Sequence, residues 1–395
     1  SGLISFTEWR ASRSATFNGV TESMSAIIAA LRTAVVPRGG AFNELLPHQL
    51  AEPVIRALLS QTGIAAAEVS QLVMANSLGA GGNPARVAAL AAGLDHVSGL
   101  SIDTQCAGGL DAVALAAALV DAGTADIVIA GGAESYSRRP LRAKTFADQR
   151  PAEFYTRPSF TPDPEADPDM TMAAGELADR FHLTRQEQDQ FAIDSHHKAL
   201  AAASRLTAEI VPLAGVTGDV YPRALSLRLA QRTPALAGTV SLASTAVEAD
   251  GAAFCVVVSD KTAARLGCGF ALTVAGYQTL GADTRLPGYA PVEAIRRLFE
   301  RNPQYQPQHC LTEMMEAYAA QAMVCIRQSG MALDNVNVGG GALARGHPIG
   351  ASGAVLLCRM FHELRQRNEQ TGLCAIAAAG GLGSAMLLSP WGTQG

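Results

Sequence analysis

The chain has 395 residues, enough to bury a large core and to form two or three domains. Charged residues make up 16% and the net charge is −5, which argues against general affinity for nucleic acid or an anionic membrane surface. No apolar run approaches the roughly 20 residues of a membrane span, and seven cysteines without a regular framework suit a reduced, cytoplasmic protein better than a disulfide scaffold.

Residues 1–23 are rich in Ser, Thr and Arg and lack an apolar h-region, so they do not read as a secretory signal. Periodic sequence begins at Met24, which makes 1–23 an N-terminal extension or a cloning remnant. A strand follows at Ser25 to Ala34, then a helix near Pro47–Gln61, a strand at Leu72 to Met74 and a helix near Pro84–Ala92. The run Ile102-Asp103-Thr104-Gln105-Cys106-Ala107-Gly108-Gly109-Leu110 forms a Gly-rich elbow that opens a helix. That helix is apolar from Leu110 through Val120 except for Asp111, and a strand with Gly131-Gly132 comes next. From about 137 to 243 the composition turns to Pro, Asp and Arg with polar helices such as Arg185–Ser204, the pattern of an inserted loop domain.

A second elbow, Gly341 through Gly353 with His347 inside it, again opens an apolar helix, Gly350 to Arg365. Strand Ala375 to Ser384 with Gly380-Gly381 completes the echo of Asp126 to Ser135. The alternation predicts an α/β fold. The repeat predicts halves of 24–270 and 271–395 whose elbows meet about a pseudo-twofold axis.

A thiol and an imidazole on such elbows are the minimum kit for thioester chemistry. An arbitrary cysteine is most often a core residue, but Cys106 heads a buried helix whose positive end favours thiolate. His347 reads either as a general base toward Cys106 or as a structural histidine. His196-His197 resembles a metal pair only superficially, because adjacent helix positions diverge by about 100°; a helix surface is the expectation, and no metal site is assigned.

Five segments, taken in order, resemble the signatures of the thiolase family: Gly82 to Arg86, the Cys106 elbow, Gly131 to Ser135, Asp250 to Ala253, and Gly346 to Gly353. The resemblance runs from about Ser25 to Leu388. It implies a five-layered α/β/α/β/α duplication with an inserted loop domain, CoA thioester substrates with no other cofactor, and a homodimeric or homotetrameric assembly. It also implies that Cys106 accepts the acyl group, that His347 activates it, and that the oxyanion donors are the Cys106 N–H and a backbone N–H at Ala379 or Gly380. Glu316 would orient His347 or stand in for a lost base. Arg223, Ala246 and Ser352 would lie along the CoA-binding region, and Arg138, Arg139, Arg142 and Lys144 form a basic cluster for its phosphates.

The chain departs from that family in the half that handles carbon–carbon bonds. Ala377 stands where a second cysteine serves as acid and base, and Met315 stands where an asparagine holds the water that stabilises an enolate. Neither side chain moves a proton or holds a water. Two readings follow. One is a transferase, either β-ketothiolase-like or modified in its acyl acceptor. The other is a degenerate subunit that binds acyl-CoA or supports partner proteins of a biosynthetic complex.

Overall fold

The computed structural model describes residues 24–367 and 371–392; the expectation for residues 1–23 lies outside the described residues. One mixed sheet forms the frame. Its strands are β1 (Ser25–Arg32), β2 (Gln71–Ala75), β3 (Leu100–Ile102), β4 (Ile127–Glu134), β5 (Ala249–Ser259), β6 (Leu272–Gly281), β7 (Leu311–Met314), β8 (Gly372–Ala378) and β9 (Leu382–Pro390). They lie in the order β7-β8-β9-β6-β1-β5-β4-β2-β3. The two halves of this sheet are joined at its middle through β1 and β6, whose pairing places Ile27 opposite Leu272. Strands β1, β4 and β5 are buried along their whole length. Such strands read as continuous apolar runs because helices cover both faces.

The helices supply three layers. Helices α1 (Pro47–Thr62) and α2 (Pro84–Ala91) cover the outer face of the N-terminal half, where Leu50, Val54 and Leu58 pack with Leu72, Ile129 and Val256. Helices α3 (Gly108–Asp121) and α8 (Ile349–Arg367) fill the space between the halves, where Leu110, Val113 and Phe361 meet Val128, Ile376 and Met386. Helices α6 (Ala290–Arg301) and α7 (Ala319–Gln328) cover the outer face of the C-terminal half. The result is the five-layered α/β/α/β/α arrangement. Helix α8 is buried from Gly350 through Leu364, and its charged residues Arg359 and Glu363 pair with each other inside the fold. By contrast, α6 turns Val292, Ile295 and Leu298 inward and forms its ion pairs on the outside.

Two glycines let α3 and α8 touch at their N-termini. A Cβ on Gly109 would lie 2.5 Å from the Ala354 nitrogen, and one on Gly353 would lie 2.4 Å from the Leu110 nitrogen. This close crossing brings the two elbows together.

The inserted stretch contributes α4 (Met170–Arg180) and α5 (Arg185–Leu206). It is tied to the frame by buried charges. Arg32 on β1 pairs with Glu209 and Asp219, each at 2.7 Å, and Arg359 on α8 pairs with Glu209 at 2.5 Å. Among the described residues, no helix is long and apolar enough to cross a membrane.

Candidate active site

Cys106 lies in the 3-10 turn Gln105–Ala107 that opens α3. The preceding Gln105 has φ 54°, a left-handed conformation rare outside glycine, and its amide donates to Asp103 at 2.8 Å. Gly108 allows the turn to sit on β2, since a Cβ there would meet the Ala75 Cβ at 2.8 Å. The sulfur is thereby held at the start of a buried helix, partly exposed to a cavity.

His347 arrives from the opposite half. Gly346 takes φ 111°, a conformation L side chains rarely adopt, and the His347 amide donates to the Val247 carbonyl at 2.8 Å. Its Nε2 lies 3.1 Å from the Cys106 sulfur, and its Nδ1 lies 2.6 Å from the Ser352 hydroxyl. Ser352 thus fixes the ring that faces the thiol. The Cys106 and Ala379 backbone amides both favour the charged form of the sulfur.

Charge at the pair differs from the thiolate expected of a helix end. Burial pushes the Cys106 thiol up to about 12; the nearby Glu134 and Asp103 carboxylates add to the rise, while the two amides oppose it. Burial also lowers His347 to about 4. The resting pair is therefore thiol and neutral imidazole, because excluding water outweighs the helix dipole. In this state His347 is free to accept a proton as the sulfur attacks.

Glu134, at the end of β4, joins the halves beneath the site. It accepts from the Gly350 amide at 3.0 Å, the Ser77 amide at 2.9 Å, the Leu78 amide at 3.2 Å and the Asn76 side chain at 2.7 Å. It therefore holds the first turn of α8, three residues from His347. In return, Asp111 of α3 accepts from Tyr277 at 2.5 Å and Ser384 at 2.9 Å in the C-terminal half. Sequence reasoning assigned neither carboxylate a role, because their partners come from distant segments.

Several expected roles change. Ser352 is buried, does not line the cavity and faces His347. Glu316 does not reach His347. Ser195 at 2.7 Å and the Leu343 amide at 3.2 Å donate to one oxygen, and Asn337 at 2.6 Å donates to the other. Its carboxyl group fills the space left by Gly341, where a Cβ would lie 2.0 Å away. Glu316 thus supports the loop leading to His347 from behind. Arg223 stacks over the Tyr221 ring at 4.2 Å and is absent from the cavity wall. His196 is buried in α5 rather than on its surface, its Nδ1 facing the Arg223 amide at 3.4 Å. No group of side chains suited to a metal occurs among the described residues.

The cavity has a volume of about 390 Å³. Cys106, His347, Ala377 and Ala379 line it together with Ala246, Met170, Pro287 and Tyr318. Gly380 lies just outside it with φ 80°, turning the chain after Ala379. Of the basic cluster, Arg139 and Arg142 line the cavity while Arg138 and Lys144 do not; Arg157 joins them from further along the insertion. Met315 packs its side chain into the apolar layer between the two halves of the sheet, away from the cavity. No other cysteine replaces the one absent at Ala377: Cys374 is sealed in that same apolar layer, and Cys310 donates to the Gln306 carbonyl outside the cavity.

Comparison with known proteins accords with this architecture. Residues 25–261 match the family described as Thiolase, N-terminal domain, and residues 270–390 match Thiolase, C-terminal domain. The chain is 36% identical over 371 residues to “Putative acetyl-CoA C-acetyltransferase YhfS” of Bacillus subtilis, covering 91% of this chain and 98% of that protein. It is 34% identical over 381 residues to “Putative acetyl-CoA C-acetyltransferase VraB” of Staphylococcus aureus, covering 93% and 99%. The crystal structure of the Bacillus anthracis acetyl-CoA acetyltransferase superposes with a TM-score of 0.86 at 28% identity, covering 94% of this chain and all of that one.

Proposed function

The chain belongs to the thiolase family, and on that premise we propose that it takes an acyl group from a CoA thioester onto Cys106 and passes it to an acceptor. His347 removes the thiol proton as the sulfur attacks the thioester carbon. The tetrahedral oxyanion is held by the Cys106 and Ala379 amides. The C–S bond to CoA then breaks, and the departing thiolate takes the proton back from His347. Reversal with another thiol, or attack by a different nucleophile, discharges the acyl-cysteine.

The observation that carries this reading is the continuous relay Ser352–His347–Cys106, with spacings of 2.6 and 3.1 Å. A scaffold that only binds acyl-CoA has no use for such a relay, which weighs against the degenerate subunit. The CoA arm would run along the wall at Ala246, with Arg139, Arg142 and Arg157 near its phosphates, since guanidinium groups suit phosphate. We further take the protein to act in the cytoplasm as a homodimer or homotetramer, with halves 24–270 and 271–395. Without a proton carrier at Ala377 or Met315, the acceptor would be one that needs no strong base: a thiol, water, an amine, an alcohol, or a carbanion released by decarboxylation.

The test is isotope exchange between acetyl-CoA and labelled free CoA. Exchange at a rate that saturates in both, and that is lost in Cys106→Ala, supports the acyl-enzyme. Absence of exchange with acetyl and longer acyl groups alike counts against it.

A further inference from the structure

Resting on the acyl-enzyme reading above, we propose that the Tyr136 hydroxyl is a substrate-binding hydrogen-bond donor that holds the enolate oxygen of the second thioester. Tyr136 lines the cavity into which Cys106 and His347 open. Its hydroxyl has no hydrogen-bond partner among the described residues, while Tyr318 pairs with Thr171 at 3.0 Å and Thr245 donates to the Ser241 carbonyl at 2.8 Å. The Ser77 hydroxyl, which also lines the cavity, is unpartnered too but sits on a much shorter side chain. Largely buried polar groups without a protein partner are uncommon. One that opens into a reaction cavity is satisfied by what binds there.

Elimination identifies the oxygen. On the reading above, the acyl oxygen on Cys106 takes the Cys106 and Ala379 amides, which act on the sulfur in the free protein. The second substrate's oxygen has none from Met315, whose side chain points into the apolar layer. Tyr136 follows β4, two residues past the Glu134 clamp, so its backbone continues directly from the frame that holds the first turn of α8. Burial and the neighbouring Cys106 sulfur push its phenol far above the ordinary tyrosine value. It therefore acts as a donor that keeps its proton and not as a base.

The step balances without another reactant. When Cys106 attacks the ketone carbon of a 3-ketoacyl-CoA, a C–S bond forms and the C2–C3 bond breaks. The electron pair goes to the departing thioester as its enolate, whose oxygen accepts from Tyr136. The proton that His347 took from the thiol ends on the enolate carbon.

Two substrates that yield the same acetyl-cysteine isolate the effect. Acetyl-CoA acetylates Cys106 by C–S cleavage with no enolate, and acetoacetyl-CoA does so by C–C cleavage through one. Single-turnover acetylation, read by intact mass, would be compared between the wild-type chain and Tyr136→Phe. We expect the acetyl-CoA route to change less than twofold and the acetoacetyl-CoA route to slow about 10²-fold, as when one oxyanion donor is lost. Equal slowing on both routes assigns Tyr136 a structural role and overturns the proposal, as does no slowing on either. A wild type acetylated by acetyl-CoA but never by acetoacetyl-CoA also overturns it, because no enolate is then formed. A wild type acetylated by neither refutes the acyl-enzyme reading itself.

Discussion

His347 Nε2 lies 3.1 Å from the Cys106 sulfur although 241 positions of chain separate the two residues. The spacing depends on the glycines where α3 crosses α8, and on Glu134 reaching across to the Gly350 amide at 3.0 Å. Nucleophile and base thus belong to different halves, and their distance reports how those halves are packed.

Ser352 is the ring's only hydrogen-bond partner at Nδ1 among the described residues. Ser352→Ala should lower the rate of Cys106 acylation about tenfold and, by leaving the buried ring nitrogen unpaired, cost about 1–3 kcal/mol of stability. His347→Ala should lower that rate by about 10² to 10⁴, the usual range for a general base. Stopped-flow release of CoA measures both rates.

The protonation states set a pH profile. His347 titrates at about 4 in the folded protein against an ordinary 6.5, so it stays neutral and usable as a base through mildly acidic pH. The acid limb of acylation should fall near pH 4 and not near 6.5. The same shift costs stability in acid: the unfolded chain binds the proton first, so this contribution is intact above 6.5 and is lost as pH falls toward 4. Because burial raises the Cys106 thiol to about 12, alkylation by iodoacetamide should climb about tenfold per pH unit between 7 and 9. A rate already flat at pH 7 would instead indicate a thiolate–imidazolium pair.

Gly109→Ala should separate the elbows. Its Cβ would meet the Ala354 backbone at 2.5 Å, and backbone cannot rotate away. A destabilisation of about 1–3 kcal/mol, typical of overpacking, should accompany loss of acylation. Chemical denaturation and the CoA-release assay would follow the two effects together.

Restoring the absent chemistry is a test by gain. Ala377 faces the cavity, so Ala377→Cys places a thiol there without filling the core, and cleavage of acetoacetyl-CoA should rise. Met315→Asn should not help alone, because residue 315 is buried in an apolar layer. An unpaired amide there should cost about 1–3 kcal/mol.

Local sequence revealed the elbows, the helices they open and the alternation of strand and helix, because Gly-rich turns and apolar periodicity are properties of neighbouring residues. The strand expected at Ser25 to Ala34 is β1, Ser25–Arg32, and the helix expected near Pro84–Ala92 is α2, Pro84–Ala91. Contacts between distant segments were not legible. Ser352 looked like a residue for CoA because its partner, His347, lies across a helix turn whose orientation the sequence leaves open. Glu316 looked aimed at His347, yet the space above Gly341 draws it to Ser195 and Asn337. Thiolate was expected from the dipole of α3, but burial dominates. Tyr136 carried no signal, since an unpartnered hydroxyl is visible only once its neighbours are placed.

The most direct measurement is the intact mass of the protein after brief mixing with acetyl-CoA, and separately with a longer acyl-CoA, beside Cys106→Ala. The acyl-enzyme account predicts one acyl increment on the wild-type chain with at least one thioester and none on the variant. No increment with any thioester, or an increment that persists in Cys106→Ala, would contradict it.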